Sequence, residues 1–394
     1  MEIQKYIDYT IHLIKCSISG DIPKDLPDGM SLDVLFKFCR YHKVENTVYY
    51  ALKQLGLSED EMLEFHRAHL LASIVDANQD VALNEIANLF NENKIDYLPL
   101  KGSVIKHIYP STDMRQSADI DIYIGEENAL KAKEIMLSIG YITDESLFGV
   151  DVDDSYQRGV YVNVELHRSL LPDVYQWKKE CRRIEKRFRN DSRENFEYKM
   201  TKEDFYVYMV IHTAKHMRLS GCGIRSVLDI WIYLKEYAEV MDMDKINLAL
   251  KKCELTKFEK NIRTLAYLWF EGFENYEELI TELGYHIAVG GWIGRAEYRN
   301  AKFIAQNYSA KNKKISKLKY YFSLIFLKRD RMMKKYPILE KYKFLILFFW
   351  IKRGVESIRG GNYNLKDAND KAKKIQDEMQ LGKKMLDFDK KIGL

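Results

Sequence analysis

Pro99-Leu100-Lys101-Gly102-Ser103, followed by Arg115-Gln116-Ser117-Ala118-Asp119-Ile120-Asp121-Ile122-Tyr123, is the stretch on which the fold turns. A short apolar run ends in a glycine-serine turn, and two aspartates then alternate with isoleucines. A period of two reads as a strand, and side chains two apart on a strand share a face. Asp119 and Asp121 therefore set their carboxylates side by side. Adjacent carboxylates repel, and burying them without counter-charge is costly. A divalent cation relieves both problems, and Mg²⁺ is commonly held by one or two carboxylates together with substrate phosphates. The pattern points to a metal-assisted, phosphate-handling site.

The chain upstream of this stretch reads as helical. Ile3, Ile7, Ile11 and Ile14 follow helical spacing, Pro23 and Pro27 interrupt, and a second helical run covers 31–55. Ser58-Glu59-Asp60-Glu61 is a capping box opening a long helix that ends near Asn93. Ile95–Leu100 is a short strand whose Pro99 suits an edge or a strand end. A helix over 103–109, a strand over 118–124 and a helix over 126–139 follow, the last stopped by Gly140. Residues 144–155 are acidic and read as a loop or hairpin. Val160–His167 is β-rich, with Tyr161, Asn163, Glu165 and His167 on one face. From Thr201 the pattern is helical again, broken at Ser220-Gly221-Cys222-Gly223 and resumed over 224–237. The expected class is α+β, a small mixed sheet embedded in a predominantly helical chain. The change of character suggests four regions: an N-terminal helical region 1–94, a core 95–190, a helical cleft domain 191–310 and a basic, aromatic-rich helical region 311–394.

Composition narrows the class. With 46% apolar and 30% charged residues the 394-residue chain is that of a folded globular protein with ample core. Its five cysteines are scattered, with no CxxC pair, so neither a zinc knuckle nor a disulfide framework is indicated. No secretory leader is visible, and the longest apolar run, Phe344–Ile351, falls far short of the ~20 residues that span a bilayer. A soluble cytoplasmic protein is expected. Charge is uneven: between Lys311 and Arg353, fourteen Lys/Arg stand against only Asp330 and Glu340. Residues 311–353 leave three readings open. They are a solvated surface over a packed apolar face, a peripheral contact with anionic membrane, or a contact with nucleic acid such as tRNA.

Gly102-Ser103, then Asp119-x-Asp121, then Glu165 between apolar residues on a later strand, resembles the polymerase-beta-like nucleotidyltransferase superfamily. Leu100-Lys101-Gly102, Arg115-x-Ser117-x-Asp119-Ile120-Asp121, Glu165-Leu166-His167 and the later His216, Arg225 and Asp229 are similar to its bacterial branch of uncharacterised nucleotidyltransferases. The resemblance implies Mg²⁺, or Mn²⁺ in its place, on Asp119, Asp121 and Glu165, with Glu165 completing a two-metal site and helping to deprotonate the acceptor. It implies that Gly102 lets backbone approach a phosphate, with N–H groups of the next helix start facing it, and that Ser103 donates its hydroxyl. Lys101 and Arg115 are phosphate partners on this reading, and His216 and Arg225 face the nucleotide from the helical domain.

Several residues keep two readings. His167 shares a face with Glu165 and is either a neighbour of the metal or a packed, hydrogen-bonded histidine. His212 and His216 are one helical turn apart, a spacing zinc sites use, but the HExxH pattern needs glutamate where Thr213 stands. Arg225 and Asp229 have the i,i+4 spacing of a helical salt bridge. The expected function is transfer of a nucleoside monophosphate from an NTP to an acceptor that the motifs do not identify: a small molecule, a sugar phosphate, a protein or an RNA. The rival readings are a non-catalytic nucleotide- or partner-binding module and a toxin-antitoxin component that modifies tRNA or a protein.

Overall fold

The computed structural model describes residues 2–144, 153–173, 175–190, 195–274, 276–291, 296–307, 332–333, 336, 338–359 and 368–394. The chain forms two compact units, Met1–Gly294 with Ile392–Leu394, and Arg295–Lys391. The first begins with helices α1 (Glu2–Ser19), α2 (Leu32–His42), α3 (Glu45–Leu52) and α4 (Glu59–Glu92). The single helical run expected over 31–55 is two helices, because Lys43 adopts a left-handed conformation (φ 56°) that ends α2. The capping box forms as expected: Ser58 Oγ accepts from the Glu61 N–H while the Glu61 carboxylate accepts from the Ser58 N–H.

The sheet follows, as β1 (Leu98–Pro99), the single turn α5 (Gly102–Ile105), β2 (Ile120–Tyr123), α6 (Ala129–Ser138), β3 (Asp153–Arg158) and β4 (Val162–His167). Its four strands lie in the order β1-β2-β4-β3. β1 is antiparallel to β2, β2 is parallel to β4, and β3 is antiparallel to β4. The fold is thus α+β with a mixed sheet, and Pro99 sits on an edge strand where no ladder bond is lost. The parallel β2–β4 pair needs a crossover, which α6 supplies. One sheet face is apolar: Ile120, Ile122, Val164 and Leu166 pack with Ile86 and Phe90 of α4 and Met136 of α6. Alternation then sends Asp119, Asp121, Glu165 and His167 to the opposite face.

The segment expected as a loop or hairpin over 144–155 ends in a hairpin strand. Residues 145–152 lie outside the described residues, but Asp153-Asp154-Ser155 opens β3. Acidic residues are poor strand formers, and here full-length pairing with β4 overrides that preference.

Further helices complete the unit: α7 (Lys178–Glu185), α8 (Lys202–Leu219), α9 (Ile224–Tyr237), α10 (Met243–Lys252), α11 (Thr256–Glu271) and α12 (Glu278–Gly290). Thr201 caps α8 by accepting from the Asp204 N–H, at the start that the Thr-x-x-Asp spacing marks. The second unit contains helices Ala296–Asn307, Ile338–Lys341 and Ile346–Arg359 and most of Ala368–Ile392. Of the basic segment 311–353, residues 311–331, 334, 335 and 337 lie outside the described residues. Among the described residues no helix is long and apolar enough to cross a membrane. All five cysteines are buried and free.

His42 ties three helices together. Its Nε2 lies 2.8 Å from the Ala288 carbonyl of α12, and its Nδ1 accepts from the Ile224 N–H of α9 at 3.3 Å. The ring is fully buried and must be neutral, because a proton on Nδ1 would face another donor. Burial accordingly lowers its pKa to about 4. A histidine depressed in the folded state binds its proton more readily when unfolded, so stability falls as pH drops from 6.5 towards 4. We expect His42 to account for a loss of roughly 3 kcal/mol over that window. Urea denaturation at stepped pH checks this: His42→Gln, which keeps a donor and an acceptor but does not titrate, should lose this acid limb. An unchanged limb would contradict it.

Candidate active site

The parallel register sets Asp121 directly opposite Glu165 and Tyr123 opposite His167. Neighbouring strands are about 4.8 Å apart, so the two acids are held side by side. One oxygen each of Asp121 and Glu165 and a ring nitrogen of His167 lie within 4.8 Å of one another. Asp119, at the mouth of β2, lies outside that tightest grouping but lines the same cleft. This cleft has a volume of about 340 Å³ and runs between the polar sheet face and the α8–α9 pair.

Its electrostatics are those of crowded acids. Asp121 is buried, which by itself would push its carboxyl up. Lys101 and His167 outweigh burial and hold it well below the usual carboxylate range. Lys101 Nζ is 2.5 Å and His167 Nε2 is 2.7 Å from the same Asp121 Oδ1. Asp119 is raised, first by burial and then by Asp121. Glu165 is pushed up to about 8 by burial and by both aspartates. The acids on this face thus repel one another more than Lys101 and His167 relieve. Hard carboxylate oxygens in surplus fit a divalent cation.

Lys101 reaches Asp121 from an unusual backbone. At φ 45°, ψ −116° it occupies a region that L residues rarely adopt, a strain of about 1–3 kcal/mol. Gly102, next to it, is required by a close approach of protein to protein. A Cβ there would lie 1.9 Å from Ser117 Oγ and 3.2 Å from Arg115 Nη1. The N–H groups expected to face a phosphate are engaged within the turn, Ser103 N–H with the Leu100 carbonyl and Val104 N–H with that of Lys101. Ser103 is half-buried and does not line the cleft, whereas Ser117 does.

Arg115 is built into the wall. Its Nε and Nη2 donate to the two oxygens of Asp229 at 2.9 Å each, and Nη1 donates to the Gln116 carbonyl and Ser117 Oγ. Asp229 also accepts from Tyr109 OH at 2.6 Å. The i,i+4 spacing offered Asp229 to Arg225; the structure gives it to Arg115, 114 residues away in sequence. Arg225 donates to the Gln116 carbonyl at 2.8 Å and lines the cleft. Burial, and then the neighbouring Arg115, lower its pKa to about 10, so it keeps its charge at neutral pH.

From α8, His212 and His216 face each other with their Nε2 atoms 3.2 Å apart. Burial lowers both, His216 to about 3, so at neutral pH each ring is uncharged and one donates to the other. No acid or cysteine joins them in a metal-binding group among the described residues. Tyr208 and Lys215 of α8 also line the cleft, as does Asp153 of β3. Sequence reasoning did not assign Tyr208 or Asp153; the only signal was their position on an α8 face and a strand edge.

The profile of a family described as uncharacterised nucleotidyltransferases matches residues 28–271, taking in both walls of this cleft. The match covers well over half of the chain, and the chain belongs to that family. It is therefore a nucleotidyltransferase, an enzyme that uses an NTP. No curated protein and no solved structure matches the chain.

Two substitutions check the architecture. Asp229→Ala leaves a buried guanidinium unpaired and should cost about 3–5 kcal/mol, read as a lowered urea midpoint; a change below about 1 kcal/mol would contradict the clamp. Gly102→Ala should cost about 1–3 kcal/mol through overpacking. Adding Ser117→Gly, which empties the space above residue 102, should recover most of it, and failure to do so would show that the close approach is not the constraint.

Proposed function

We propose that the chain transfers a nucleoside monophosphate from an NTP to an acceptor hydroxyl or phosphate, using Mg²⁺ or Mn²⁺. The observation that carries this reading is Asp121 opposite Glu165 on one sheet face, with Asp119 lining the same cleft and Lys101 against Asp121. The three acids would hold the cation, which supplies charge neutralisation at the triphosphate and at the leaving pyrophosphate. Arg225 and Lys215, on the facing helices, would bind phosphate oxygens. Gly102 and Ser117 would shape the floor next to them, with Ser103 behind that floor. Arg115, fastened to Asp229, would hold Ser117 and Gln116 in place rather than reach the substrate. His167 would orient Asp121, and His216 would contact the nucleotide as a neutral donor or acceptor.

The acceptor oxygen attacks the α-phosphorus, its new P–O bond forms as the Pα–O–Pβ bond breaks, and pyrophosphate leaves. Glu165 would help to take the acceptor proton. Positioning and charge neutralisation suffice for such an in-line displacement, with no covalent enzyme intermediate. This is the chemistry of the polymerase-beta-like enzymes that the motifs resemble.

A second reading, a nucleotide-binding module without turnover, has one observation in its favour: Lys101 and His167 already satisfy one oxygen of Asp121 with no cation needed there. Incubation with each α-labelled NTP, Mg²⁺ or Mn²⁺, and extract fractionated into protein, RNA and small molecules separates the two. Label should move into one fraction and fall to background in the Asp119→Asn, Asp121→Asn double variant. Transfer that survives the double change would contradict the site. Bound nucleotide with no transfer in any fraction would favour the binding module.

A further inference from the structure

Lys101 puts an ammonium where the acid cluster most needs positive charge. Its Nζ sits on Asp121 Oδ1 at 2.5 Å, sharing that oxygen with His167 Nε2 at 2.7 Å. The carboxylate is only 5% exposed and the lysine side chain 20%. The backbone at 101 is of the kind that glycine adopts freely and lysine does not (φ 45°). Glycine occupies the next position instead. Backbone preference does not account for a lysine here; its reach to Asp121 does.

We propose that Lys101 takes the place of one cation, so that the nucleotide-loaded site holds a single divalent ion per chain where a two-metal site was expected. The inference rests on the metal-dependent reading above. Charge supports it. With all three ionised around a bound cation, Asp119, Asp121 and Glu165 carry three negative charges against one on Lys101, and the two left over match one divalent ion. Arg115 is spent on Asp229, and Arg225 and Lys215 on the facing helices would meet the charge of the triphosphate. Geometry supports it as well. With two donors on Asp121 Oδ1, the remaining oxygen of Asp121 joins Asp119 and Glu165 as donors for one ion. An ammonium neutralises charge but offers no open coordination position, so it cannot activate the acceptor as a metal-bound hydroxyl.

Counting bound metal tests this without reference to turnover. Full-length protein is stripped with chelator, loaded with Mn²⁺ and an excess of an equimolar mixture of the four α,β-methylene nucleoside triphosphates, and freed of unbound ligand by ultrafiltration. Retained Mn²⁺ is then measured per chain. Wild type should keep one ion, and so should Lys101→Arg, which retains the positive charge. Lys101→Met, similar in length but uncharged, should keep two. Two ions in wild type, or one in a folded Lys101→Met, would overturn the proposal while leaving metal dependence intact. No ion in wild type would overturn the metal reading and this proposal with it. Should Lys101→Met fail to fold, the wild-type and Lys101→Arg counts still decide.

Discussion

Parallel pairing of β2 with β4 is the constraint on which the polar half of this molecule depends. A register in which Asp121 faces Glu165 forces two carboxylates to neighbouring positions, and the strand period brings Asp119 to the same side. Such an arrangement is unfavourable by itself, since buried like charges raise one another's pKa and resist ionisation together. The fold accepts it because the other sheet face buries a continuous apolar layer against α4 and α6. A one-residue slip would exchange the two faces, placing isoleucines in the cleft and acids in the core. The hydrophobic effect thus fixes the register, and the register assembles the acids.

The remaining features around the cleft answer the charge that this creates. Lys101, in a strained backbone conformation, and His167 both reach Asp121. Arg115 and Asp229 form a buried clamp that fixes Ser117 over Gly102 and ties α9 to the sheet side. Buried ion pairs of this kind contribute little net stability against apolar alternatives. Here they give geometry: a wall that holds the acids, a glycine and two helix-borne cations around one volume. Membership of a nucleotidyltransferase family gives that geometry its chemical setting.

What the chain disclosed before folding was local. Period-two alternation exposed β2 and β4, capping patterns marked α4 and α8, and the two-residue spacings placed Asp119, Asp121, Glu165 and His167 on common faces. Contacts across long sequence separations were not legible. Nothing local links Arg115 to Asp229, Lys101 to Asp121, or Gly102 to Ser117. The role expected for Ser103 followed from its position after glycine, but close packing of the turn sets Ser117 at the cleft. The acidic start of β3 left loop and hairpin both open because strand preference there comes from its partner.

The most direct test of the central claim is an anomalous difference map from crystals of the full chain grown with Mn²⁺ and the matching α,β-methylene nucleoside triphosphate. The account predicts a Mn²⁺ peak in direct contact with Asp119, Asp121 and Glu165, with the triphosphate between the sheet and α8–α9. A nucleotide bound away from that sheet face, or an ion touching none of the three acids, would contradict it.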